Sequence, residues 1–443
     1  PFVPKYDHVI VIIIDGQQRI TTINLLLLAI AKVFENCGNE TYREVWDYYL
    51  HNKYLNEGSK LKLKPVQKDE KAYYSIVNGD MDQIEAGNRI LENYKFFLER
   101  IDTPDTAKMA YEGFKRLTIV EIGLDERDDA QKIFQSLNST GLDLSQADLI
   151  RNYLLMNLSP ADQESIYHKY WVPIENNTYC ESIYTSKLSE FFRDFLTFKY
   201  KKVPSFRMVF EEFKQKYIFG PNEIDKLELC LEEMKRYSRH YQKFINPLRE
   251  QDADIKRELN RVEQLEMTVS YPYLLGIFED YFQNKINKTE LLEILRLLQT
   301  FTFRRFICNL PTNSLNKIFA TLYENTLKYK VKYPELSFYD CSATILVRYS
   351  SYQKFPTDAD IADNLKVKDI YKTQSKNKNY LFEMLENNYS SFNEMEINID
   401  QSAKTTKPIT IEHIFPQNPS IEWKKLLNLE EYEEMKSLSN TLA

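Results

Sequence analysis

From about residue 157 to 395 the apolar residues of this chain return every third or fourth position. The pattern is plain in "SEFFRDFLTFKY", "RMVFEEFKQKY", "DKLELCLEEMKRYSRHYQKFI" and "LLEILRLLQTFTFRRFICNL". That spacing gathers them on one face of a helix, so it predicts a helical middle whose stripes pack on one another. Only 10 glycines in 443 residues leave few loosened backbone positions, in keeping with a mostly helical chain. The frequent aromatic residues here are read as filling helix–helix contacts. No fixed repeat period runs through the stretch, so a solenoid is not expected.

The flanks read differently. "VIVIII" (9–14) has the β-branched content of a buried strand and ends at Asp15-Gly16. "QRITTINLLLLAIAKVFE" follows as a helix apolar around most of its circumference. "LKLKP" and "RLTIVEIGL" (116–124) alternate like short strands. Next, two helices are joined by Asn138-Ser139-Thr140-Gly141, and Ser145 with Asp148 reads as a capping box for the second. These elements predict a mixed α/β domain over 1–156 and a helical domain over 157–395. A C-terminal segment over 396–443 is entered through the polar "EMEINIDQSAKTTKP". The expected class is α+β, mostly helical.

The net charge of −7 gives no global attraction to nucleic acid, so such binding needs a local basic surface. Lys199, Lys201, Lys202 and Arg207 in "TFKYKKVPSFR" are the candidates; a solvated helix end is the other reading, since mixed-sign "EEFKQK" follows. Arg304 and Arg305 lie in an apolar stretch and are expected to pair with a carboxylate or to contact the N-terminal domain, structural pairing being the first reading. Five scattered cysteines without a CxxC pair argue against a zinc site or a disulfide framework and for a reducing cytoplasm. The longest apolar run is too short to cross a bilayer and no secretory signal is seen, so no membrane partner is expected. Walker A, nucleophile-elbow, dinucleotide and haem motifs are not found.

Two short stretches carry chemistry. In "IIIDGQQRITT" a glycine between a strand and a helix start lets a ligand approach the backbone, where the first helical amides and the positive dipole end favour phosphate. Arg19 can grip phosphate oxygens in a fork, Asp15 can hold a cation or orient water, and Gln17 and Gln18 can bond a base, a sugar or that water. Equally, Arg19 can pair with Asp15 while the glutamines cap the loop. In "IEHIFPQNP", Glu412 and His413 follow the short β-type run "PITI". A neutral imidazole can take a proton from water, and a carboxylate can hold a divalent ion against the scissile phosphate. The plainer alternative has His413 bonding a nearby carbonyl. His8, His51, His168 and His240 sit in charged or aromatic sequence that suits surface or packing roles.

The wider context of both motifs carries a resemblance. "DGQQRITTINLLLL" resembles the signature of a prokaryotic domain family with a ParB/sulfiredoxin-like fold, and "IFQSLNSTGLDLSQADLIRNYLL" resembles its second signature. "FVPKY" is similar to its opening segment and "RRFICNLPTNSLNKIF" to a later helical element. "EHIFPQ" followed by Trp423 resembles the first half of an HNH, or ββα-metal, nuclease motif. In this order the chain resembles the GmrSD-type, modification-dependent (type IV) restriction enzymes of anti-phage defence.

The resemblance implies an NTPase domain in which Asp15 is catalytic and Gly16, Gln17, Gln18 and Arg19 handle the nucleotide. Asn138, Ser139 and Gly141 would lie on a nearby nucleotide-binding loop. GTP, ATP, CTP and UTP stay open. It implies His413 as general base, Glu412 as its partner or a metal ligand, Asn440 as a further metal ligand, and Mg²⁺ as the expected ion. The implied substrate is double-stranded DNA, modified phage DNA in particular; a homodimer is left open. Two departures bear on this. Only residues 7–14 separate "FVPKY" from the DGQQR string, where the family has a much longer stretch, so residues are expected to be missing there. The nuclease motif is expected to continue past Ala443. Two further readings remain: a non-cutting sensor of a defence system, and a ParB-like nucleotide-gated DNA clamp.

Overall fold

The computed structural model describes residues 13, 16–53, 60–65, 67–85, 87–123, 144–156, 158–220, 223–372, 375–389, 399, 409, 411, 415–416 and 418–441. Helices dominate it, and the chain divides into two compact units, 1–143 and 144–443.

The first unit is built around α1 (Gln17–Asn36), against which α2 (Thr41–Val45), α4 (Arg89–Arg100) and α5 (Pro104–Phe114) pack; α3 (Gln67–Asn78) packs on α4. Leu25, Leu27, Leu28, Ala29, Ile30, Ala31 and Phe34 of α1 are all buried, so the near-continuous apolar run expected of this helix is explained by neighbours on several sides. Buried Asn24 avoids the cost of an unpaired amide because the Tyr73 hydroxyl donates to it at 3.1 Å. Asn88 and Thr103 cap α4 and α5 through their side chains.

The strands expected in this unit are not found among the described residues. Of 9–14 only Ile13 is described, and it lies in no strand. "LKLKP" contributes one antiparallel bridge, His51 to Leu61. Residues 117–123 form no regular structure, and Leu117, Ile119, Val120 and Ile122 are exposed. Alternation makes a strand only where a neighbour satisfies its backbone groups, and no described segment pairs with this one.

The second unit opens with α6 (Gln146–Leu155). The Ser145 hydroxyl caps it as anticipated, accepting from the Asp148 amide at 3.1 Å. Ala147, Ile150 and Leu154 of α6 join the core of this unit, although the sequence pattern groups 144–156 with the N-terminal domain. Next come α7 (Pro160–Ile166), α8 (Val172–Asn177) and a short hairpin of two-residue strands, β1 (Tyr179–Cys180) against β2 (Thr185–Ser186), inside the stretch read as almost entirely helical. Then follow α9 (Leu188–Tyr200), α10 (Val209–Lys216), α11 (Ile224–Ile245), α12 (Ala253–Gln264), α13 (Tyr271–Phe282), α14 (Lys288–Ile307), α15 (Asn313–Lys332) and α16 (Phe338–Arg348).

At the centre lies α13, packed on α9, α11 and α15 and buried from Tyr271 to Asp280. Gly276 is what lets α15 come so close. A Cβ there would stand 2.6 Å from the Tyr323 ring and 2.8 Å from Phe198. Glu279 and Asp280 end this helix buried but paired. Glu279 takes His240 Nε2 and Arg236 Nε, each at 2.9 Å, and Asp280 accepts from the Tyr323 hydroxyl at 2.8 Å. Burial holds the His240 imidazole below its ordinary pKa, with Glu279 pulling weakly the other way. His240 is thus a core histidine, as the sequence suggests.

The C-terminal helices α17 (Asp358–Leu365), α18 (Ser375–Tyr389), α19 (Ile421–Leu426) and α20 (Leu429–Leu438) complete the unit. Ile370 and Leu381 bury against Ile307, and the Ile370 amide donates to the Asn440 carbonyl at 2.9 Å. The acidic run of α20 is an exposed helix, capped by the Asn428 side chain. Arg304 bonds the Pro356 carbonyl at 3.0 Å and Asp358 at 2.5 Å, as its apolar setting demanded. Arg305 departs from that expectation. It is buried, yet its partners are the carbonyls of Lys354 and Pro311 and the Ser314 hydroxyl rather than a carboxylate. Three neutral acceptors and the Phe301 face, 5.3 Å away, take the place of the missing carboxylate. The expected linker, 394–408, lies outside the described residues except Ile399. In "PITI", Ile409 and Ile411 are described and lie in no strand.

Candidate nucleotide and nuclease sites

Gly16 stands at the start of α1 with φ 84°, in the left-handed region that a side chain disfavours. Among the described residues no side chain caps this helix start. The Gln17 side chain turns back to donate to the Ile13 carbonyl at 2.7 Å, which fixes the entering chain. Thr21 and Thr22 hydroxyls bond the carbonyls of Gln17 and Gln18 at 2.9 and 2.8 Å, tightening the first turn. Gln17, Gln18 and Arg19 are all exposed.

This first turn holds no acidic residue and does hold an arginine. A cation at the positive end of a helix dipole is the unfavourable choice unless negative charge comes to it. The guanidinium folds toward Gly16, so that a Cβ there would lie 3.8 Å from Nη2. Gly16 to Arg19 therefore form one small corner at the start of α1, with Gln17, Gln18 and Arg19 exposed and the body of the helix buried behind them. Asp15, Asn138, Ser139 and Gly141 lie outside the described residues.

At the other end of the chain Glu412 and His413 also lie outside the described residues. Two positions beyond the histidine, Phe415 is buried and held edge-on by Trp423 and Tyr432, both with ring centroids at 5.8 Å. The motif is thus tethered to α19 and α20 by an aromatic cluster. Asn440 is half-buried just after α20, its backbone tied to Ile370. Among the described residues no group of three or more His, Cys, Asp or Glu side chains is placed to hold a metal ion.

The lysines of "TFKYKKVPSFR" are largely engaged. Lys199 pairs with Glu233 at 2.8 Å, Lys202 with Glu212 at 2.7 Å, and the Lys201 ammonium bonds the Phe198 carbonyl. Arg207 is exposed on a 3₁₀ turn, Phe206–Met208. All five cysteines are free, and no described helix is long and apolar enough to cross a membrane.

The described geometry by itself defines a mostly helical protein. Comparison with family models narrows this. Residues 5–155 match the N-terminal domain of the GmrSD restriction endonucleases, and residues 355–443 match their C-terminal domain. The two matches take in both motifs and more than half of the chain. This chain belongs to the GmrSD restriction endonuclease family, and DNA is what such enzymes cut. No individual curated protein matches it.

Proposed function

We propose that this protein is an NTP-regulated endonuclease that senses modified DNA and cuts it with an HNH-type nuclease. The observation that carries the nucleotide half is the first turn of α1. Left-handed Gly16 is followed there by two exposed glutamines and an exposed arginine. Exposed amides at a helix start and a planar guanidinium are the groups that hold a triphosphate. The neighbouring Asp15 is assigned to water or cation positioning during hydrolysis, and Asn138, Ser139 and Gly141 to the loop that closes on the nucleotide. A ParB/sulfiredoxin-like fold is assigned to this domain.

The nuclease half rests on "EHIFPQ" inside the matched C-terminal domain. His413 takes the proton from the attacking water, and Glu412 orients it or binds metal. The carboxylate of Glu412 and the side-chain oxygen of Asn440 are the hard oxygen donors that suit Mg²⁺. Such an ion supplies stabilisation of charge on the scissile phosphate and the leaving oxygen.

The test is incubation of the full-length protein with modified and unmodified phage DNA, with and without each NTP and Mg²⁺. Cleavage confined to modified DNA and altered by one NTP is expected. His413→Ala should abolish cutting and leave DNA binding in place; undiminished cutting by that variant removes the nuclease assignment. Nucleotide-dependent retention on closed circular DNA without nicks would instead favour a clamp.

A further inference from the structure

The groove between α15 and α16 encloses about 430 Å³ and is lined by Asn325, Lys328, Tyr329 and Lys332 of α15 with Arg348 and Tyr349 at the end of α16. None of its lining residues is acidic, in a chain whose net charge is −7. Positions 325, 328, 329 and 332 fall on one face of α15, so the cations form a row rather than a scatter. Lys328 and Lys332 are separated by a rise of about 6 Å along the helix. That is of the order of the step between neighbouring phosphates on one nucleic-acid strand.

Lys328, Lys332 and Arg348 are exposed. Lys328 pairs at 2.8 Å with Glu324, one turn back, an exposed ion pair of the weak kind that a phosphate can displace. Lys332 and Arg348 are held by aromatic rings instead. The Lys332 ammonium is 5.4 Å from the Tyr333 ring. The Arg348 guanidinium sits 5.0 Å over the Tyr329 ring and donates to its hydroxyl at 3.2 Å. Tyr329 thereby positions the arginine without neutralising it, and the Tyr329 and Tyr333 rings lie 4.6 Å apart in one aromatic wall.

We propose that this groove binds the phosphate backbone of the DNA substrate, with Lys328, Lys332 and Arg348 as its phosphate contacts. The proposal rests on the reading of this chain as a DNA endonuclease, and it assigns the helical unit a share in holding the duplex.

The test uses the full chain, a chelator to prevent cutting, and a short fluorescent DNA duplex titrated across about 0.05–0.2 M salt. Replacing Lys332 and Arg348 together by glutamine should lower the slope of log affinity against log salt by about 2, since each contact contributes roughly 1. At about 0.15 M salt the affinity should fall about thirty-fold, because counterion release is worth roughly five-fold per contact there. Lys226→Gln, an exposed lysine already paired with Glu223, should leave both unchanged. Wild-type slope and affinity in the double variant would overturn the groove assignment while leaving the endonuclease reading intact. A loss of affinity at unchanged slope would also overturn it. If the wild-type protein takes up no DNA at the lowest salt, the endonuclease reading fails and the groove assignment with it.

Discussion

The helices α1 and α13 are each the centre of their unit, and each is apolar on nearly every side. They begin and end in opposite ways. α13 is buried from Tyr271 to Asp280, and its charged residues are matched by Arg236, His240 and Tyr323. α1 buries most of its residues between Asn24 and Phe34 but starts in an exposed turn with a left-handed glycine and an arginine in the first turn. A core helix whose polar residues all find partners is explained by stability alone. The exposed start of α1 is where the proposed nucleotide site falls, and the buried body of the helix is a rigid support for it.

Mutations can break this contrast. The largest effect belongs to Phe278→Ala in the middle of α13. Its side chain is 1% exposed and packs on Phe244 at 4.9 Å, so truncation should cost about 3–5 kcal/mol in denaturant unfolding. Next is Glu279→Gln, which strips the carboxylate from Arg236 and His240. The loss should be about 2 kcal/mol at neutral pH, less than the roughly 3–5 of a fully buried pair because Arg236 is partly exposed.

A pH series sharpens that second case. The folded protein holds His240 below its ordinary pKa, so the unfolded chain binds the proton more readily. This contribution to stability is complete above the ordinary histidine range and is lost as pH falls through it. Glu279 opposes the shift, so its removal should steepen the loss between about pH 7 and 5. Parallel curves for wild type and variant would show that Glu279 does not act on His240.

The smallest stability effects belong to the start of α1. Gly16→Ala should cost about 1–2 kcal/mol for a side chain in the left-handed region. Arg19→Ala should change stability by less than about 0.5 kcal/mol, as for other exposed positions. Both should weaken nucleotide uptake in calorimetry, Arg19→Ala the more severely for its small effect on folding. Unchanged uptake in both variants would make the first turn of α1 an ordinary helix start.

Much of the fold was legible in the sequence because helix packing needs only local periodicity. α9, α11 and α14 follow from their three- and four-residue spacing, and the Ser145 cap from its neighbour Asp148. The strand expected over 116–124 was misread for the opposite reason. "RLTIVEIGL" has the right alternation, but pairing is a property of two segments and no described neighbour meets it. The basic groove was missed on the same ground, because Lys332 and Arg348 are sixteen positions apart and become neighbours only when α15 packs on α16. Its one local trace was Lys328 and Lys332 on a single helical face beside Tyr329.

By itself, then, the sequence determined the helical character, the family and the two short strings that carry chemistry, since each is written in contiguous residues. The tertiary structure decided which charges are already spent and which are available. Lys199 and Lys202 face glutamates, Arg305 sits among carbonyls, and Lys332 and Arg348 lie against tyrosine rings, Arg348 also donating to the Tyr329 hydroxyl. Charge is local to a residue, but neutralisation depends on what folding brings within a few ångströms of it.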